Sequence, residues 1–234
     1  MIEEADFETY LFVSKKKFEI FLLDKKNFKN LYNEKLVIDN NYEDLNYLSK
    51  FLDKNFYKIE KLIGSFIKNI ILIIRNEENL QVSISFKKKN YEGGINRKFL
   101  ENNLIELKDL FKENYLDHKI MHMVIINYII NEKKHSFLDS SISGEYLGLE
   151  VNFIAIENSL VFALDKVLEK YQTRVSQYMC GDYIKNFFKE DEDNNELSQM
   201  ASKIKDGHNS NEVILIPKNI KNKGFFEKFF QLFS

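Results

Sequence analysis

The sequence has no tryptophan, one cysteine and one proline among its 234 residues. A single cysteine, Cys180, excludes an internal disulfide and is compatible with a reducing compartment. Scarce proline and glycine, together with frequent lysine, asparagine, isoleucine, phenylalanine and tyrosine, suggest an AT-rich coding sequence. Because such a bias multiplies lysines, the runs SKKK at 14–17 and FKKK at 86–89 are weak signals of a nucleic-acid site.

The chain also lacks an excess of charge of either sign. Its 34 basic and 36 acidic residues give a formal net charge of −2, which argues against a phosphate-binding surface and against a nucleic-acid partner. A secretory signal peptide is not expected, because residues 1–6 are acidic and the next apolar run is broken by lysines at 15–17. With 44% hydrophobic residues, the composition predicts a soluble globular chain of one or two domains.

The last eleven residues, GFFEKFFQLFS, separate into an apolar and a polar face when they are placed on a helix. At about 100° per residue, the large apolar side chains fall within an arc of about 160°. The segment is too short to cross a bilayer, which needs ~20 apolar residues, so it is predicted to lie in the membrane interface. The residues predicted to bind the membrane are Phe225, Phe226, Phe229, Phe230, Leu232, Phe233, Lys221, Lys223 and Lys228.

Docking on the protein's own core is the commoner fate of an amphipathic helix and is the alternative for this one. Its place behind a polar stretch and its phenylalanine-rich face favour the membrane. A helix of this length binds weakly, so we expect self-association or a polymeric partner that gathers several copies on one membrane.

Apolar patterns predict a first unit over residues 1–94, built from a hairpin, a third strand, a helix and two more strands. The predicted elements are strands at 7–13, 18–24 and 28–38, a helix with apolar positions from Tyr42 to Phe56 behind the cap candidates Asn40 and Asn41, and strands at 69–74 and 80–86.

A second unit, residues 95–186, is predicted as helices on a small sheet. Its elements are a helix with apolar positions from Phe99 to Phe111, strands at 120–130 and 149–156 with a short return through Phe137, a helix at 158–171 and a strand at 174–179. Residues 187–222 are expected to be a polar linker that holds a short helix at 197–204 and a possible strand at 212–216. Residues 223–234 are predicted to form the amphipathic helix.

Three parts of the chain carry a resemblance to one known family, namely residues 7–90, the stretch from INRKFLENNLIELKDLF to ENSLVFALDKVLEKYQTRVSQYM, and KNKGFFEKFF. They resemble FtsA, the actin-like protein that tethers the bacterial division ring to the membrane. Residues 7–90 resemble the first half of the family's opening actin-like subdomain, and KNKGFFEKFF resembles its C-terminal membrane-targeting helix. Three further stretches resemble the family's extra subdomain, called 1C. They are INRKFLENNLIELKDLF, the stretch from HKIMHMVIINYII to GLEVNFIAI, and ENSLVFALDKVLEKYQTRVSQYM. The anchor points there are His122, Met123, Val124, Tyr128, Ser143, Gly144, Leu147 and Val151. The resemblance implies an α+β fold, with a partial actin-like, ribonuclease-H-like subdomain followed by the extra subdomain and the helix.

The sequence departs from that family where nucleotide binds. Relatives carry an Asp-x-Gly phosphate loop in the first hairpin, whereas this chain has Ser14 and three lysines, without glycine or acid. Residues 180–234 are too few for the second phosphate loop and the adenosine-binding lobe. Both parts of the family's ATP cleft are therefore missing, and we expect that the chain, as a reduced form of the family, has no cofactor. The lobe that receives the tail of FtsZ also has no counterpart, which argues against the usual mode of FtsZ binding.

No catalytic or metal-binding constellation is recognised. His118 and His122 are predicted to share one face of a strand near its exposed start, without the HExxH spacing of a metalloprotease. His135 lies in a predicted turn and His208 in the linker, and neither has an evident metal partner. Cys180 has no nearby histidine and is interpreted as a packed thiol.

The leading hypothesis is a non-enzymatic cell-division protein, cytoplasmic and peripheral on the inner face of the membrane at the division site. It would act as a septal-ring adaptor or anchor, with FtsZ or later division proteins as the implied partners. In the family, the extra subdomain contacts neighbouring protomers and later division proteins. The candidate partner-binding residues are Ser143, Gly144, Glu145, Tyr146, Asn158 and Lys166.

Two alternatives stay open. One is an actin-like nucleotide-binding protein, of ATPase type or similar to the pilus protein PilM, whose second lobe comes from another chain. The other is a soluble α+β interaction module whose phenylalanine-rich tail packs on its own surface or in a dimer.

Overall fold

The structure, a computed structural model, describes residues 7–38, 45–89, 97–137, 144–189 and 196–214. In these ranges the chain is a mixed α+β protein with two sheets and five helices. The strands are β1 (Phe7–Ser14), β2 (Lys17–Asp24), β3 (Lys29–Val37), β4 (Asn69–Arg75), β5 (Leu80–Lys89), β6 (His118–Ile130), β7 (Lys133–His135), β8 (Tyr146–Glu157) and β9 (Arg174–Cys180). The helices are α1 (Asn46–Ile63), α2 (Arg97–Asn114), α3 (Asn158–Glu169), α4 (Gly181–Phe187) and α5 (Leu197–Lys205).

The chain divides into two compact units. The first is drawn from residues 1–78 and 158–206, and the second from residues 79–157 and 207–234. The first unit holds a five-stranded sheet in the order β3-β2-β1-β4-β9, and the second a four-stranded sheet in the order β5-β8-β6-β7.

The sheet of the first unit is mixed. β1, β2 and β3 form an antiparallel meander, while β4 runs parallel to β1 and β9 runs parallel to β4. On one face, Phe18 of β2 lies 6.1 Å from Phe51 of α1, measured between ring centroids. On the other face, α4 and α5 pack on a cluster of buried strand residues. That cluster includes Tyr10, Phe12, Phe21, Leu23, Ile71, Ile73 and Met179.

The sheet of the second unit is antiparallel and is covered on one face by α2. The buried apolar residues of α2 are Leu100, Leu104, Leu107 and Phe111, which recur every three or four positions and so share one side of the helix. Phe111 stacks on Phe153 of β8 at 4.8 Å with an interplanar angle of 18°. β5 forms an edge of this sheet, and its residues alternate between half-buried and exposed.

The boundary between the units differs from the one predicted after residue 94. β5 pairs with β8 and so belongs to the second sheet, whereas β9 pairs with β4 and so returns to the first. α3 returns with it, so the second unit does not contain all of residues 95–186. The reason is that a strand joins a sheet by pairing with a segment distant in the sequence. The apolar pattern of the strand itself does not indicate which segment that is.

The prediction of a polar linker over residues 187–222 is also corrected by the structure. Within it, α5 buries Leu197, Met200, Ala201 and Ile204 in the core of the first unit. α4, which the sequence analysis did not predict, buries Ile184 beside them. In place of a strand at 212–216, Glu212 forms an isolated bridge to Val124, and residues 215–222 lie outside the described residues.

The start of α1 also differs from the prediction. The helix begins at Asn46, and Leu45 occupies the N-cap without a side-chain hydrogen bond. The cap candidates Asn40 and Asn41 lie outside the described residues. At the other end, Gly64 adopts the left-handed conformation, φ 71°, that commonly closes a helix.

Candidate functional site

The carboxyl ends of the three parallel strands in the first unit meet at one edge of its sheet. Ser14 at the end of β1 is paired with Arg75 at the end of β4, and Ile74 is paired with Cys180 at the end of β9. In open sheets with parallel strands, ligands bind outside the carboxyl ends of those strands. This edge of the sheet is therefore a candidate ligand-binding site.

A tight turn between β1 and β2 occupies part of that edge. The hydroxyl of Ser14 accepts a hydrogen bond from the N–H of Lys17 at 3.1 Å and donates one to its carbonyl at 3.0 Å. Between them, Lys15 and Lys16 are exposed, and the carbonyl of Lys16 accepts a bond from the N–H of Ile38. The turn thus presents two lysine side chains and has no glycine at which a phosphate could approach the backbone closely.

Two further cations near this edge, Lys17 and Arg75, are paired with carboxylates. Lys17 forms an ion pair with Glu19 and lies 5.0 Å from the centre of the Phe12 ring. Arg75 donates from Nε to Oδ1 of Asp182 at 2.8 Å. The pair between Arg75 and Asp182 is exposed and contributes little stability, so Arg75 could exchange it for an anionic partner.

The histidines do not form a metal site. A bulge in β6 between Ile120 and His122 shifts the side-chain alternation, so His118 and His122 do not share a face as predicted. His122 is 1% exposed rather than at an exposed strand start, and His135 ends β7 instead of lying in a turn. Within the described ranges, no group of three or more His, Cys, Asp or Glu is arranged to hold a metal ion. Cys180 is buried, which confirms its interpretation as a packed thiol.

His122 instead anchors the segment that follows α5. Its Nδ1 lies 2.6 Å from Oε1 of Glu212, and both side chains are buried. The same segment is hydrogen-bonded to β6 through the N–H of Ile125 to the carbonyl of Asn211 and the N–H of Val213 to the carbonyl of Met123, each at 2.8 Å. This arrangement supports the structural role that the sequence analysis favoured for His122.

Three of the candidate partner-binding residues come together at the start of β8. The side-chain carbonyl of Asn131 accepts hydrogen bonds from the N–H groups of Glu145 and Tyr146, at 3.0 and 3.2 Å. Gly144 packs so closely that an added Cβ would lie 2.6 Å from Cγ2 of Ile130. The backbone here is therefore held in place, which suits a surface that presents side chains to a partner.

The remaining candidates are placed differently. Asn158 and Lys166 lie on α3, in the first unit, whereas Glu145 and Tyr146 belong to the second. Ser143 lies outside the described residues, as do all nine residues predicted to bind the membrane between Lys221 and Phe233. No helix in the described ranges has the length and apolar character needed to cross a membrane.

The sequence analysis missed a half-buried polar cluster that joins β1 to α5. Glu8 accepts hydrogen bonds from the hydroxyl of Tyr10 and the ammonium of Lys205, and Lys25 lies 3.4 Å away. Burial opposes ionisation of Glu8, but the bonds from Lys205 and Tyr10 outweigh it and lower the pKa of this carboxyl. Burial, and then the neighbouring carboxylate, raise the pKa of Tyr10. Nothing in the local pattern signals this contact, because its partners are 197 positions apart in the sequence.

Comparison with known proteins gives no family by sequence. No family model matches the chain, and no curated protein matches it. Among solved structures, it is similar to the cytoplasmic domain of EpsL, an inner membrane component of the type II secretion system of Vibrio cholerae, at 9% identity and a TM-score of 0.38. That match covers 76% of this chain and 59% of the other.

Two further solved structures are similar over part of their length. The PilM–PilN type IV pilus biogenesis complex matches at 7% identity and a TM-score of 0.48, covering 77% of this chain and 49% of that one. A Bacteroides thetaiotaomicron protein with an actin-like ATPase fold and unknown function matches at 14% identity and a TM-score of 0.31, covering 81% and 60%. The chain thus spans about half to three fifths of these proteins, and such distant likenesses carry no argument about its function.

Proposed function

We propose that this chain is a non-catalytic adaptor with an actin-like core, which works through contacts with other proteins and is held at a membrane surface by residues 223–234. The mixed sheet supports the first part. An antiparallel meander followed by two parallel strands, in the order β3-β2-β1-β4-β9, is the arrangement of ribonuclease-H-like sheets, to which actin-like subdomains belong.

The turn between β1 and β2 carries the non-catalytic part of the proposal. In actin-like relatives that bind nucleotide, this hairpin approaches the phosphates through a glycine and an acid. Here Ser14 closes the turn through both its hydrogen bonds to Lys17, and two exposed lysines stand in place of the phosphate loop. A turn of this composition can attract an anion but offers neither the close backbone approach nor the acid.

The finer part of the proposal is a role in cell division, on the inner face of the cytoplasmic membrane. It rests on the resemblance to FtsA and extends to FtsZ or later division proteins as partners and to self-association on the membrane. The held backbone around Gly144 and Tyr146 supports this part of the surface as a partner-binding face.

The test of membrane attachment is co-sedimentation of the full chain with anionic liposomes, beside a version that ends at Lys223. We expect full-length binding that weakens at physiological salt and is lost on truncation, because weak apolar insertion and lysine attraction act together. Equal sedimentation of the two versions would contradict the membrane role and favour an interaction module.

The test of the non-catalytic role is calorimetric titration of the full chain with ATP and magnesium. We expect no saturable heat up to millimolar nucleotide. Saturable binding in the micromolar range would contradict the proposal and favour the nucleotide-binding alternative, in which another chain completes the cleft.

A further inference from the structure

We propose that the outer edge of β5 pairs antiparallel with β5 of a second copy, joining two four-stranded sheets into one of eight strands. β5 is ten residues long and lies at the edge of its sheet, where no strand of the described residues pairs with its outer side. A long edge of this kind offers unpaired backbone groups to another chain. This inference assigns a surface to the self-association named under the proposed function, but it rests on the edge of β5 and is tested without a membrane.

The sequence of β5 is complementary to itself in one register. A two-fold axis perpendicular to the sheet and passing through Ser83 places Leu80 opposite Phe86 of the second copy and Val82 opposite Ile84. On the other face, Gln81 comes opposite Ser85. Every pair then joins side chains of like character, which is the arrangement that stabilises antiparallel strands.

The charges at the ends of the strand favour the same register. Lys88 and Lys89 end β5, and Glu77 and Glu78 come shortly before it in the sequence. With the axis at Ser83, the lysines that end one copy of β5 come near the turn that holds Glu77 and Glu78 in the other copy. Opposite charges therefore meet at both ends of the paired strands, which favours this orientation.

Neighbouring registers lose this match. Moving the axis to Val82 leaves Phe86 without an apolar strand partner, because the turn before β5 then lies opposite it, and moving the axis to Ile84 brings Leu80 opposite Lys88. Moving it by half a residue breaks the match between faces, because side chains alternate with a period of two. The register centred on Ser83 is thus the one of these three in which apolar positions face apolar positions and polar positions face polar ones along the strand.

The burial of β5 is consistent with a covered edge. Leu80, Val82, Ile84 and Phe86 pack against the core of the second unit but are only half-buried, so a second copy would cover their remaining surface with the same four residues. Lys88 now pairs with Glu106, and Lys89 with Glu145 at 3.0 Å. These pairs are exposed, so exchanging them for partners in the second copy costs little. A single strand edge makes a small interface, and we expect reversible association.

The decisive experiment is sedimentation equilibrium on the full chain and on two variants, Ser83→Lys and Ser85→Lys. Both residues are exposed, so both variants should fold as the wild type does, and circular dichroism checks this. Ser83→Lys places two lysines opposite each other on the axis and should weaken association at least tenfold. Ser85→Lys faces Gln81 and should leave the dimer largely intact.

Cross-linking tests the register itself. Cys180 is buried, so an introduced Ser83→Cys would supply the exposed thiol. This variant should form a disulfide-linked dimer on mild oxidation, because directly opposed cross-strand residues bring their Cβ atoms to about 4.5–5.5 Å, from which a small shift reaches the roughly 3.5–4.5 Å of a disulfide. Ser85→Cys should not. The proposal is overturned by a wild type that stays monomeric at the highest soluble concentration, by equal association of the two lysine variants, or by equal cross-linking of the two cysteine variants.

Discussion

In the first unit, β4 carries five consecutive buried residues from Ile70 to Ile74, whereas in the second unit β5 alternates half-buried and exposed positions from Leu80 to Lys89. β4 is central in its sheet, with helices packed against both faces. β5 is an edge strand with one face on α2. An apolar run therefore reports how many faces of a strand are covered, and alternation reports that one face is open.

The open strand is also the one that can gain a neighbour. β4 already pairs with β1 and β9 along both of its edges, so its hydrogen-bonding groups are used within the chain. β5 pairs with β8 along one edge and carries exposed serines and lysines on its open face. The residues of β4 thus stabilise the fold, whereas β5 has an edge that can pair with a second copy.

The largest expected effect comes from the doubly covered strand. Leu72→Ala, at a fully buried position in β4, should lower the free energy of unfolding by ~2–5 kcal/mol, since it removes buried surface and leaves a cavity. Val82→Ala in β5 should cost less, because part of that side chain is already in water. Urea unfolding followed by circular dichroism measures both. Equal losses of unfolding free energy in the two variants would contradict the difference in burial between β4 and β5.

A second, smaller effect concerns α5, which the sequence analysis took for part of a linker. Ile204→Ala should lower the free energy of unfolding by about 2–4 kcal/mol, because this side chain is 1% exposed in the core of the first unit. Lys189→Ala, at an exposed position just after α4, is the matched control and should change it by no more than ~0.5 kcal/mol. If Ile204→Ala left the free energy of unfolding unchanged, the packing of α5 in the core would be contradicted and the linker prediction would stand.

The smallest effect is a dependence on pH set by Glu8. Its folded-state pKa lies below the ordinary value of 4.5, so the folded protein binds fewer protons than the unfolded chain and stability falls as the pH drops through that interval. Glu8→Gln should lower the melting temperature at neutral pH, and the gap to the wild type should close below about pH 4.5. Exposed Glu113→Gln serves as the control. A gap that persists unchanged at pH 3 would contradict this account.

Much of the local structure could be predicted from periodicity. The hairpin of β1 and β2, the long helix α2 and the strands β6 and β8 all lie where apolar spacing placed them. The missed helix, α4, is one of the shortest elements at seven residues, too few for a helical period to show. The acidic stretch after it suggested a linker, yet α5 is amphipathic and buries its apolar face.

The candidate sites were predictable only where one short segment carries all the information. The lysine turn between β1 and β2 is visible in the sequence as SKKK, and the structure adds how Ser14 closes it. The anchoring of Glu212 by His122 and the cluster around Glu8 join residues 90 and 197 positions apart. No local pattern encodes such contacts.

By itself, the sequence determined the type and approximate length of most elements, because the period of apolar residues depends only on neighbours along the chain. It also determined the composition of the β1–β2 turn and the self-complementary pattern of β5. Only the tertiary structure decided that β5 and β9 exchange sheets relative to chain order, that α5 belongs to the core, that Glu8 is paired with Lys205, and that His122 is paired and buried. Those outcomes depend on hydrogen bonds and burial between distant segments, which exist only once the chain has folded.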